Sequence, residues 1–349
     1  MTSNSEDIYL ITGGYGFIGS SLIRLLLKEG KIVCNIDKLT YSSNINSLEN
    51  YGAAENYYFY QEDICNEDNI AKIINKHKPT KVIHLAAETH VDRSIDNPSD
   101  FVKSNINGTY SLLNSTYKYW DKLEYDDKNV FKMLIVSTDE VYGSLELNDN
   151  PSDENSPYKP NSPYSASKAA CDHLARAWFK TFKLPVIVTN TSNNYGPWQF
   201  PEKLIPLTIL KCINNQKIPI YGNGKQIREW IYVDDHSEGL LAAIKNGIPG
   251  EKYNIGSHNE KKNIDVVNDI CSILDKLIPL SNGNYNQLIE FVDDRPGHDQ
   301  RYALNSEKIK SINWRPKVNW TQGLEKTIKW YLDNKEFLTT YSGKRLGKS

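Results

Sequence analysis

Short runs of aliphatic and β-branched residues alternate with longer stretches of helical periodicity through the first half of the chain. The predicted strands are Ile8–Thr12, Ile32–Asp37, Tyr57–Tyr60, Lys81–Leu85, Phe131–Ser137 and Val186–Asn190. The predicted helices are Ile18–Glu29, Ile70–Lys76, Ser99–Tyr119 and Ser162–Phe182. Such alternation is typical of βαβ units. It predicts an α/β fold with a right-handed, doubly wound parallel sheet.

The second half of the chain is less regular. Short segments rich in Pro, Gly and Asn separate smaller elements at Tyr195–Pro201, Tyr221–Lys225 and Asn246–Gly250. This change predicts a first domain over residues 1–192 and a smaller α/β domain over 193–341. Some segments of the second are expected to return to the first. Residues 342–349 are basic and small, and we expect them to be disordered.

Composition places the chain among ordinary globular proteins. It has 349 residues, of which 39% are hydrophobic and 24% charged, enough for a large core. A net charge of −2 indicates no nucleic-acid or acidic membrane partner, so any phosphate must be bound locally. The five cysteines include no Cys-x-x-Cys pair, which argues against a disulfide framework or a zinc site and predicts no metal.

The N-terminal segment is short and polar, and the apolar run after it is soon broken by Gly13 and Gly14. We therefore predict neither a signal peptide nor a membrane span, and we expect a cytoplasmic protein.

A glycine-rich turn follows the first predicted strand. Gly13, Gly16 and Gly19 are spaced Gly-x-x-Gly-x-x-Gly and lead into the first helix, as in a Rossmann-like dinucleotide site. The first glycine allows a tight turn, the second lets backbone approach a pyrophosphate, and the third lets helix pack on strand. A ligand-free glycine turn is the alternative.

A carboxylate ends the second predicted strand. Asp37 is placed to accept hydrogen bonds from the adenosine ribose and to repel a 2′-phosphate, which favours NAD over NADP. Lys38 would partly screen that repulsion. Asp63 and Ile64 suit the adenine edge, although an isolated Asp in a loop is as often a turn residue.

Tyr164 and Lys168 lie four residues apart at the start of a predicted helix, so both side chains project from one face. A tyrosine acts as a base near neutral pH only if its pKa is lowered, and we expect Lys168 and a nicotinamide charge to lower it. An incidental pair on a surface helix is the alternative.

Taken together, the glycine turn, Asp37 and Tyr-x-x-x-Lys resemble the extended short-chain dehydrogenase/reductase superfamily over nearly the whole chain. Three stretches resemble its nucleotide-sugar 4,6-dehydratases, namely Leu85–Asp92, Ser137–Gly143 and Asp294–Asp299. The resemblance implies dehydration of dTDP-glucose to dTDP-4-keto-6-deoxyglucose with NAD. Tyr164 would take the 4-hydroxyl proton during oxidation, Glu140 the 5-proton, and Asp139 would protonate the leaving 6-hydroxyl.

The resemblance also implies a set of site residues. The catalytic residues are Thr138, Asp139, Glu140, Tyr164 and Lys168. The cofactor-binding residues are Gly13, Gly16, Phe17, Ile18, Gly19, Asp37, Lys38, Thr40, Asp63, Ile64, Leu85, Ala86, Ala87, Tyr164, Lys168 and Asn193. The substrate-binding residues are Thr89, His90, Thr138, Asn194, Glu202, Lys203, Leu204, Arg228, Arg295, His298 and Tyr302.

Among these, Arg228 and Arg295 are expected to clamp the diphosphate, because a guanidinium can donate two parallel hydrogen bonds to phosphate. The residues alone leave one alternative for Asp139 and Glu140, which is that they cap backbone donors in a loop.

The chain departs from the family pattern at three positions. Tyr15 stands where a small residue is usual, so its ring must point away from the pyrophosphate or pack over it. Gln199 and Gln300 stand where basic residues are frequent, which changes the side chains expected to bind the nucleotide end of the substrate.

Three other functions stay open. UDP-glucose would undergo the same carbon chemistry, whereas a 4-epimerase would leave Asp139 and Glu140 without a task. A non-catalytic NAD-binding protein need not retain Tyr164, Lys168 and the carboxyl pair together.

The superfamily also implies a homodimer through a four-helix bundle. The helices concerned would be Ser99–Tyr119 and Ser162–Phe182, near which Trp120, Trp178 and Phe179 add aromatic surface.

Overall fold

A parallel sheet of seven strands forms the centre of the computed structural model, which describes residues 7–339. The strands of the chain are β1 (Ile8–Thr12), β2 (Ile32–Asp37), β3 (Tyr57–Gln61), β4 (Lys81–His84), β5 (Lys132–Thr138), β6 (Val186–Thr191), β7 (Asn193–Tyr195), β8 (Ile218–Tyr221), β9 (Ile227–Tyr232), β10 (Lys252–Ile255), β11 (Glu260–Lys262) and β12 (Ile289–Val292). The order in the large sheet is β10-β6-β5-β4-β1-β2-β3, with every neighbouring pair parallel. The predicted α/β fold is confirmed.

Helices cover both faces of this sheet and build the rest of the molecule. They are α1 (Phe17–Lys28), α2 (Glu67–His77), α3 (Val91–Asp96), α4 (Pro98–Phe101), α5 (Gly108–Trp120), α6 (Tyr125–Val130), α7 (Pro163–Phe182), α8 (Leu204–Ile213), α9 (Val233–Asn246), α10 (Asn263–Leu277), α11 (Trp320–Asp333) and α12 (Lys335–Thr339). Short 3-10 helices lie at Ile45–Tyr51, Asp139–Tyr142, Tyr285–Leu288 and Lys308–Ile312. Because both faces are covered, the central strands are continuous apolar runs; Tyr9, Leu10 and Ile11 of β1 are fully buried.

The predicted helix over Ser99–Tyr119 is confirmed as helical throughout, but its middle is not α-helical. A π-helical stretch, Val102–Asn107, separates α4 from α5. Within it the Asn105 side chain donates to the Glu88 carbonyl at 3.0 Å and accepts from the Glu88 amide at 2.8 Å. Asn105 also donates to the Ser167 hydroxyl of α7 at 2.8 Å. Periodicity cannot reveal such long-range bonds.

The chain after β6 builds two small sheets, with strand orders β11-β9-β7 and β12-β8, packed with α8, α10 and α11 around a second apolar core. Two elements from this half return to the large sheet. Strand β10 pairs with β6 at its edge, and α9 packs on α1, where the Ser21 hydroxyl donates to Asp234 at 2.9 Å. The functional division at residues 192 and 193 stays a prediction.

Other sequence predictions concern single features. All five cysteines are free thiols, and all but Cys65 are buried. Within residues 7–339, every helix is too short or too polar to cross a membrane. The tail at 342–349 lies outside the described residues.

The strand order sets the position of a ligand site. From β1 the chain winds towards β3 on one side, and from β4 towards β6 and β10 on the other. Ligands of open α/β sheets bind beyond the carboxyl ends of the strands at such a switch point. The fold therefore predicts a site above β1 and β4.

Candidate active site

A cavity of about 750 Å³ opens where the central strands end. Gly13 lines it after β1, Leu85 after β4, Thr138 at the end of β5 and Thr191 at the end of β6. The cavity continues to Arg295 in the segment after β12, so both halves of the chain form its walls.

The glycine turn forms one end of this cavity. Gly13 has a φ of +73°, and a Cβ on it would lie 2.7 Å from the backbone of Ala86. A Cβ on Gly19 would lie 2.2 Å from the Gly13 carbonyl oxygen. Helix α1 starts after Gly16 with no side-chain cap and no acidic residue in its first turn. Its first amides and positive potential are therefore available to a phosphate, and the turn fits a dinucleotide.

Asp37 is held facing the same cavity by backbone and side-chain donors. Its Oδ2 accepts from the Tyr15 amide at 2.9 Å, and its Oδ1 accepts from the Leu39 amide at 2.8 Å and the Ser43 hydroxyl at 3.1 Å. A carboxylate has about four lone-pair sites, so capacity for a ribose hydroxyl remains. The Tyr15 ring packs edge-on against Phe59 at 4.8 Å and does not line the cavity. Its bulk therefore leaves the pyrophosphate site open.

Tyr164 and Lys168 face the cavity from the start of α7. A reciprocal cap between Ser162 and Ser165 begins this helix and so fixes both side chains. Lys168 Nζ donates to the Val136 carbonyl of β5 at 2.8 Å. The Tyr164 phenol is hydrogen-bonded to the side chain of Thr138. Both predicted residues are buried, which excludes the incidental surface pair.

The electrostatics of Tyr164 differ from the expectation. Burial raises the pKa of its phenol well above the ordinary value, and the nearby Glu140 and Asp139 raise it further. The hydrogen bond with Thr138 acts in the opposite direction. In the protein alone the expected lowering of the Tyr164 pKa is therefore not found, because burial and two carboxyls raise it.

Asp139 is the more enclosed member of the carboxyl pair. It starts the 3-10 turn after β5, and its residue is only 4% exposed. Its Oδ1 accepts from the Thr138 hydroxyl at 3.2 Å, and its Oδ2 has no hydrogen-bond partner among residues 7–339. Burial, then Glu140 and Glu229, raise the pKa of Asp139 well above its usual range.

Glu140 lies beside Asp139 but faces cations. Burial raises its pKa, whereas Arg295, Arg228 and Lys203 lower it. The net pKa of Glu140 is still raised, but the three cations oppose the rise, so the surroundings favour a proton on Asp139 over one on Glu140. The Thr138 hydroxyl, not a carboxylate, caps the 3-10 turn by accepting from the Glu140 amide at 3.3 Å. That removes the main support for the capping alternative.

Arginines line the cavity on the side of the second half of the chain. Arg228 is buried, donates to the Asp299 carbonyl at 3.0 Å and lies 4.5 Å from the Tyr302 ring. Arg295 Nη1 donates to Asp92 at 3.3 Å, while its Nε is buried without a partner among the described residues. A donor left unpaired in this way is available to a diphosphate oxygen.

His298 lies on the turn after Arg295. Its ring pairs with Asp294, with 2.6 Å between Nδ1 and Oδ1. Burial and the charge of Arg295 lower the pKa of His298 to about 4. The ring is therefore neutral near pH 7 and serves as a hydrogen-bonding group.

Of the predicted residues, Asp63 lies outside the cavity lining, and all the others line it. Asp63 Oδ1 accepts from the Cys65 amide at 2.9 Å, which is the turn role left open in the sequence, and its neighbour Glu62 lines the cavity instead. Gln199 lines the cavity and donates to the Asn194 carbonyl at 2.9 Å. Gln300 is exposed and does not line it.

Several polar lining residues were missed from sequence. They are Ser42, Ser43, Glu62, Glu88, Asp92, Ser104, Ser137, Thr191, Ser192, Tyr221, Asn263 and Asp293. Asp92 is the clearest case, because its carboxylate accepts from the Tyr221 hydroxyl at 3.0 Å as well as from Arg295. Asp92 is the last residue of the stretch Leu85–Asp92, and its place in that family-like stretch could have identified it as a site residue.

Comparison with known proteins identifies the family to which this site belongs. The family model described as GDP-mannose 4,6 dehydratase matches residues 10–327. The chain belongs to that family. An Escherichia coli dTDP-glucose 4,6-dehydratase is 51% identical and is aligned over 97% of this chain and 98% of its own length.

Solved structures agree with the family assignment. A dTDP-glucose 4,6-dehydratase from Streptomyces venezuelae with NAD bound has a TM-score of 0.86 and 37% identity, and the match covers 95% of this chain and 98% of that one. A UDP-glucose 4-epimerase from Thermotoga maritima has a TM-score of 0.82 and 26% identity, over 94% of this chain and 99% of that one. The fold is therefore shared by dehydratases and epimerases, and the site must distinguish them.

Proposed function

We propose that this protein is an NAD-dependent hydro-lyase that converts dTDP-glucose to dTDP-4-keto-6-deoxyglucose. The observation that carries the proposal is the carboxyl pair beside Tyr164, in which Asp139 is buried, Glu140 is partly buried, and the two have different electrostatic surroundings. Oxidation alone requires the tyrosine, whereas loss of water requires an acid and a base as well. The relatives at about half identity are dTDP-glucose 4,6-dehydratases, which supports the same substrate here.

The glycine turn and Asp37 would hold NAD at one end of the cavity. Asp37 would accept hydrogen bonds from the ribose, and the first turn of α1 would bind the pyrophosphate. Tyr164, Lys168 and Asn193 line the part of the cavity that would hold the nicotinamide. NAD supplies a hydride acceptor that becomes a hydride donor later in the same cycle.

Oxidation at carbon 4 requires loss of the 4-hydroxyl proton. Tyr164 is the base for this step, and Thr138, hydrogen-bonded to its phenol, orients it. The pKa of Tyr164 is raised in the protein alone, so a cation beside the phenol is needed for its ionisation. The nicotinamide ring carries such a charge. Bound NAD would therefore favour the form of Tyr164 that acts as a base.

The resulting ketone acidifies the proton on carbon 5, and water then leaves across carbons 5 and 6. Glu140, which the three cations favour as a carboxylate, removes the carbon-5 proton. Asp139, whose pKa burial raises, donates a proton to the leaving 6-hydroxyl. Hydride would then return from the bound cofactor to carbon 6, and Glu140 returns its proton to carbon 5. Tyr164 then holds the former 4-hydroxyl proton and Asp139 lacks the proton it gave to water, so transfer of one proton from Tyr164 to Asp139 restores the starting state.

The diphosphate would lie between the arginines. Arg228 is held in place by the Asp299 carbonyl and the Tyr302 ring, and Arg295 presents an unpaired Nε. Both oppose the rise in the pKa of Glu140 that burial causes, so the groups that would bind the diphosphate also favour the carboxylate form of the base. We further propose that residues 1–192 mainly bind NAD and 193–341 mainly bind the sugar nucleotide. A cytoplasmic location stays a prediction.

We also propose a homodimer formed through α5, α7 and the segment before α5. Val102, Tyr110 and Phe182 are 49%, 46% and 40% exposed, a high fraction for large apolar side chains. Trp178 packs against Tyr110 with ring centroids 5.9 Å apart. Phe179 instead lies against Gly250, where a Cβ would meet its ring at 2.1 Å, so it serves packing within the chain. Sedimentation of Tyr110→Glu beside the native chain tests the interface, and an unchanged dimer would contradict it.

The proposed reaction is tested by incubating the purified protein with dTDP-glucose or with UDP-glucose and analysing the products by NMR. We expect a 4-keto-6-deoxy sugar, formed faster from dTDP-glucose. Formation of galactose would identify a 4-epimerase, and equal or faster reaction of UDP-glucose would overturn the base assignment. A protein that changes neither substrate would contradict the proposal.

A further inference from the structure

The loop that follows β2, residues 38–44, separates two cavities. Lys38, Thr40, Ser42 and Ser43 line the large cavity. Tyr41 does not; it lines a smaller neighbouring cavity of about 300 Å³. The middle of the loop is therefore directed away from the dinucleotide site while its flanks face it.

Tyr41 contacts two segments that are distant in the chain. Its hydroxyl donates to Glu202 Oε1 at 3.1 Å, and its ring lies edge-on to Phe200 at 5.5 Å. The Arg93 guanidinium stacks on the ring face, 3.6 Å from its centroid. Glu202 Oε2 lies 3.7 Å from His90 Nε2 and 3.9 Å from Arg93 Nε. Phe200, Glu202 and His90 also line the large cavity.

The loop is bound to the proposed ribose-binding carboxylate. The Leu39 amide and the Ser43 hydroxyl both donate to Asp37 Oδ1. At the loop ends, Lys38 Nζ donates to the Ser104 hydroxyl at 2.8 Å and the Asn44 amide donates to the Tyr15 carbonyl at 2.8 Å. The contacts of Tyr41 thus hold the middle of the loop in place.

We propose that Tyr41 slows release of the dinucleotide by holding the 38–44 loop against Glu202. Release of the dinucleotide is thereby coupled to occupancy of the sugar-nucleotide side of the cavity. This inference rests on the proposed function, since it requires NAD at the glycine turn. Movement of the whole loop away from Asp37 would break the hydrogen bond between Tyr41 and Glu202. A ligand that orders Glu202 strengthens that fastening, and by linkage bound NAD then favours the same ligand.

Retention is consistent with the chemistry. The hydride removed from carbon 4 returns to carbon 6 within one cycle, so the cofactor need not leave between turnovers. Slow release therefore does not limit the rate of product formation, unlike in a dehydrogenase that must exchange its cofactor.

The test measures exchange of bound NAD and not turnover. The holoprotein is mixed with excess isotopically labelled NAD, and the bound nucleotide is analysed by mass spectrometry at intervals. We expect Tyr41→Phe, which removes only the hydroxyl, to exchange about tenfold faster, since it loses a hydrogen bond to a charged group. Arg93→Met removes the stacked cation and is expected to exchange about threefold faster. Tyr125→Phe is the control, because Tyr125 is 77% exposed.

Addition of dTDP provides a readout that general destabilisation would not reproduce. In the native chain dTDP is expected to slow the exchange, and in Tyr41→Phe this slowing should be smaller. The inference is wrong if Tyr41→Phe exchanges NAD at the native rate, or if dTDP slows both chains equally. A native chain that neither contains nor takes up NAD would contradict the proposed function itself, whereas unaltered exchange in the variants contradicts only the role of Tyr41.

Discussion

Replacing Glu140 by Gln is expected to stop the reaction after the first hydride transfer. The substitution keeps the size and shape of the side chain and removes the base that takes the carbon-5 proton. Oxidation should survive, because Tyr164 and Thr138 are unchanged. Oxidation should also persist to lower pH than in the native chain, since Glu140 raises the pKa of Tyr164 and its replacement by an uncharged side chain removes that effect.

The magnitude follows from the role of the group. A positioned general base contributes about 10² to 10⁴ in rate. Loss of Glu140 should therefore slow elimination by that factor, equivalent to about 3 to 5.5 kcal/mol in the barrier. Substrate affinity should not fall, because Arg228 and Arg295 lose a competing anion.

The assay is a single turnover with dTDP-glucose, followed by the absorbance of enzyme-bound NADH. We expect this absorbance to rise and persist in Glu140→Gln, whereas in the native chain it is transient. Glu146→Gln is the matched control, since Glu146 is exposed and outside the cavity lining. Native turnover in Glu140→Gln would refute its role as base. Lost turnover without NADH would refute the assignment of Glu140 to the second step.

Three further predictions concern the neighbouring residues. Tyr164→Phe should lower turnover by about 10² to 10⁴ and produce no NADH signal in the same assay, because the first step is lost; a persistent NADH signal would contradict this. Asp139→Asn should abolish elimination yet raise the free energy of unfolding near pH 7 by roughly 1 kcal/mol or more, because a buried carboxyl is removed. Because the pKa of Asp139 is raised on folding, the free energy of unfolding of the native chain decreases as pH rises above about 4, the ordinary pKa of Asp. In thermal melts, the higher stability of Asp139→Asn should therefore vanish below that pH. Gly19→Ala should lower stability by roughly 2 kcal/mol or more and weaken NAD binding, because its Cβ would lie 2.2 Å from the Gly13 carbonyl oxygen; an unchanged melting temperature and NAD affinity would contradict the close packing.

Local patterns predicted the glycine turn and the Tyr164 and Lys168 pair, whereas most other site residues came from the family resemblance. Gly13, Gly16 and Gly19 act through spacing along a single turn, and Tyr164 and Lys168 through spacing along one helix, so a few residues of sequence are sufficient. The parallel sheet was predictable for a similar reason, because buried strands are read as continuous apolar runs.

Contacts between distant segments were not predictable. Asp92 meets Arg295 across 203 positions and Tyr221 across 129, and no local pattern records either contact. The same limit hid the π-helical stretch, which is bonded through Asn105 to Glu88. The direction of the pKa shift of Tyr164 also could not be predicted from sequence, since it depends on burial and on how close the carboxyls lie.

The fate of the hydride tests the central claim most directly. The protein is incubated with dTDP-glucose that carries deuterium at carbon 4, and the product is analysed by NMR and mass spectrometry. If oxidation, elimination and reduction occur in one cavity with a cofactor that stays bound, the deuterium appears at carbon 6 of the 4-keto-6-deoxy product. Deuterium lost to solvent, or returned to carbon 4, would contradict the account.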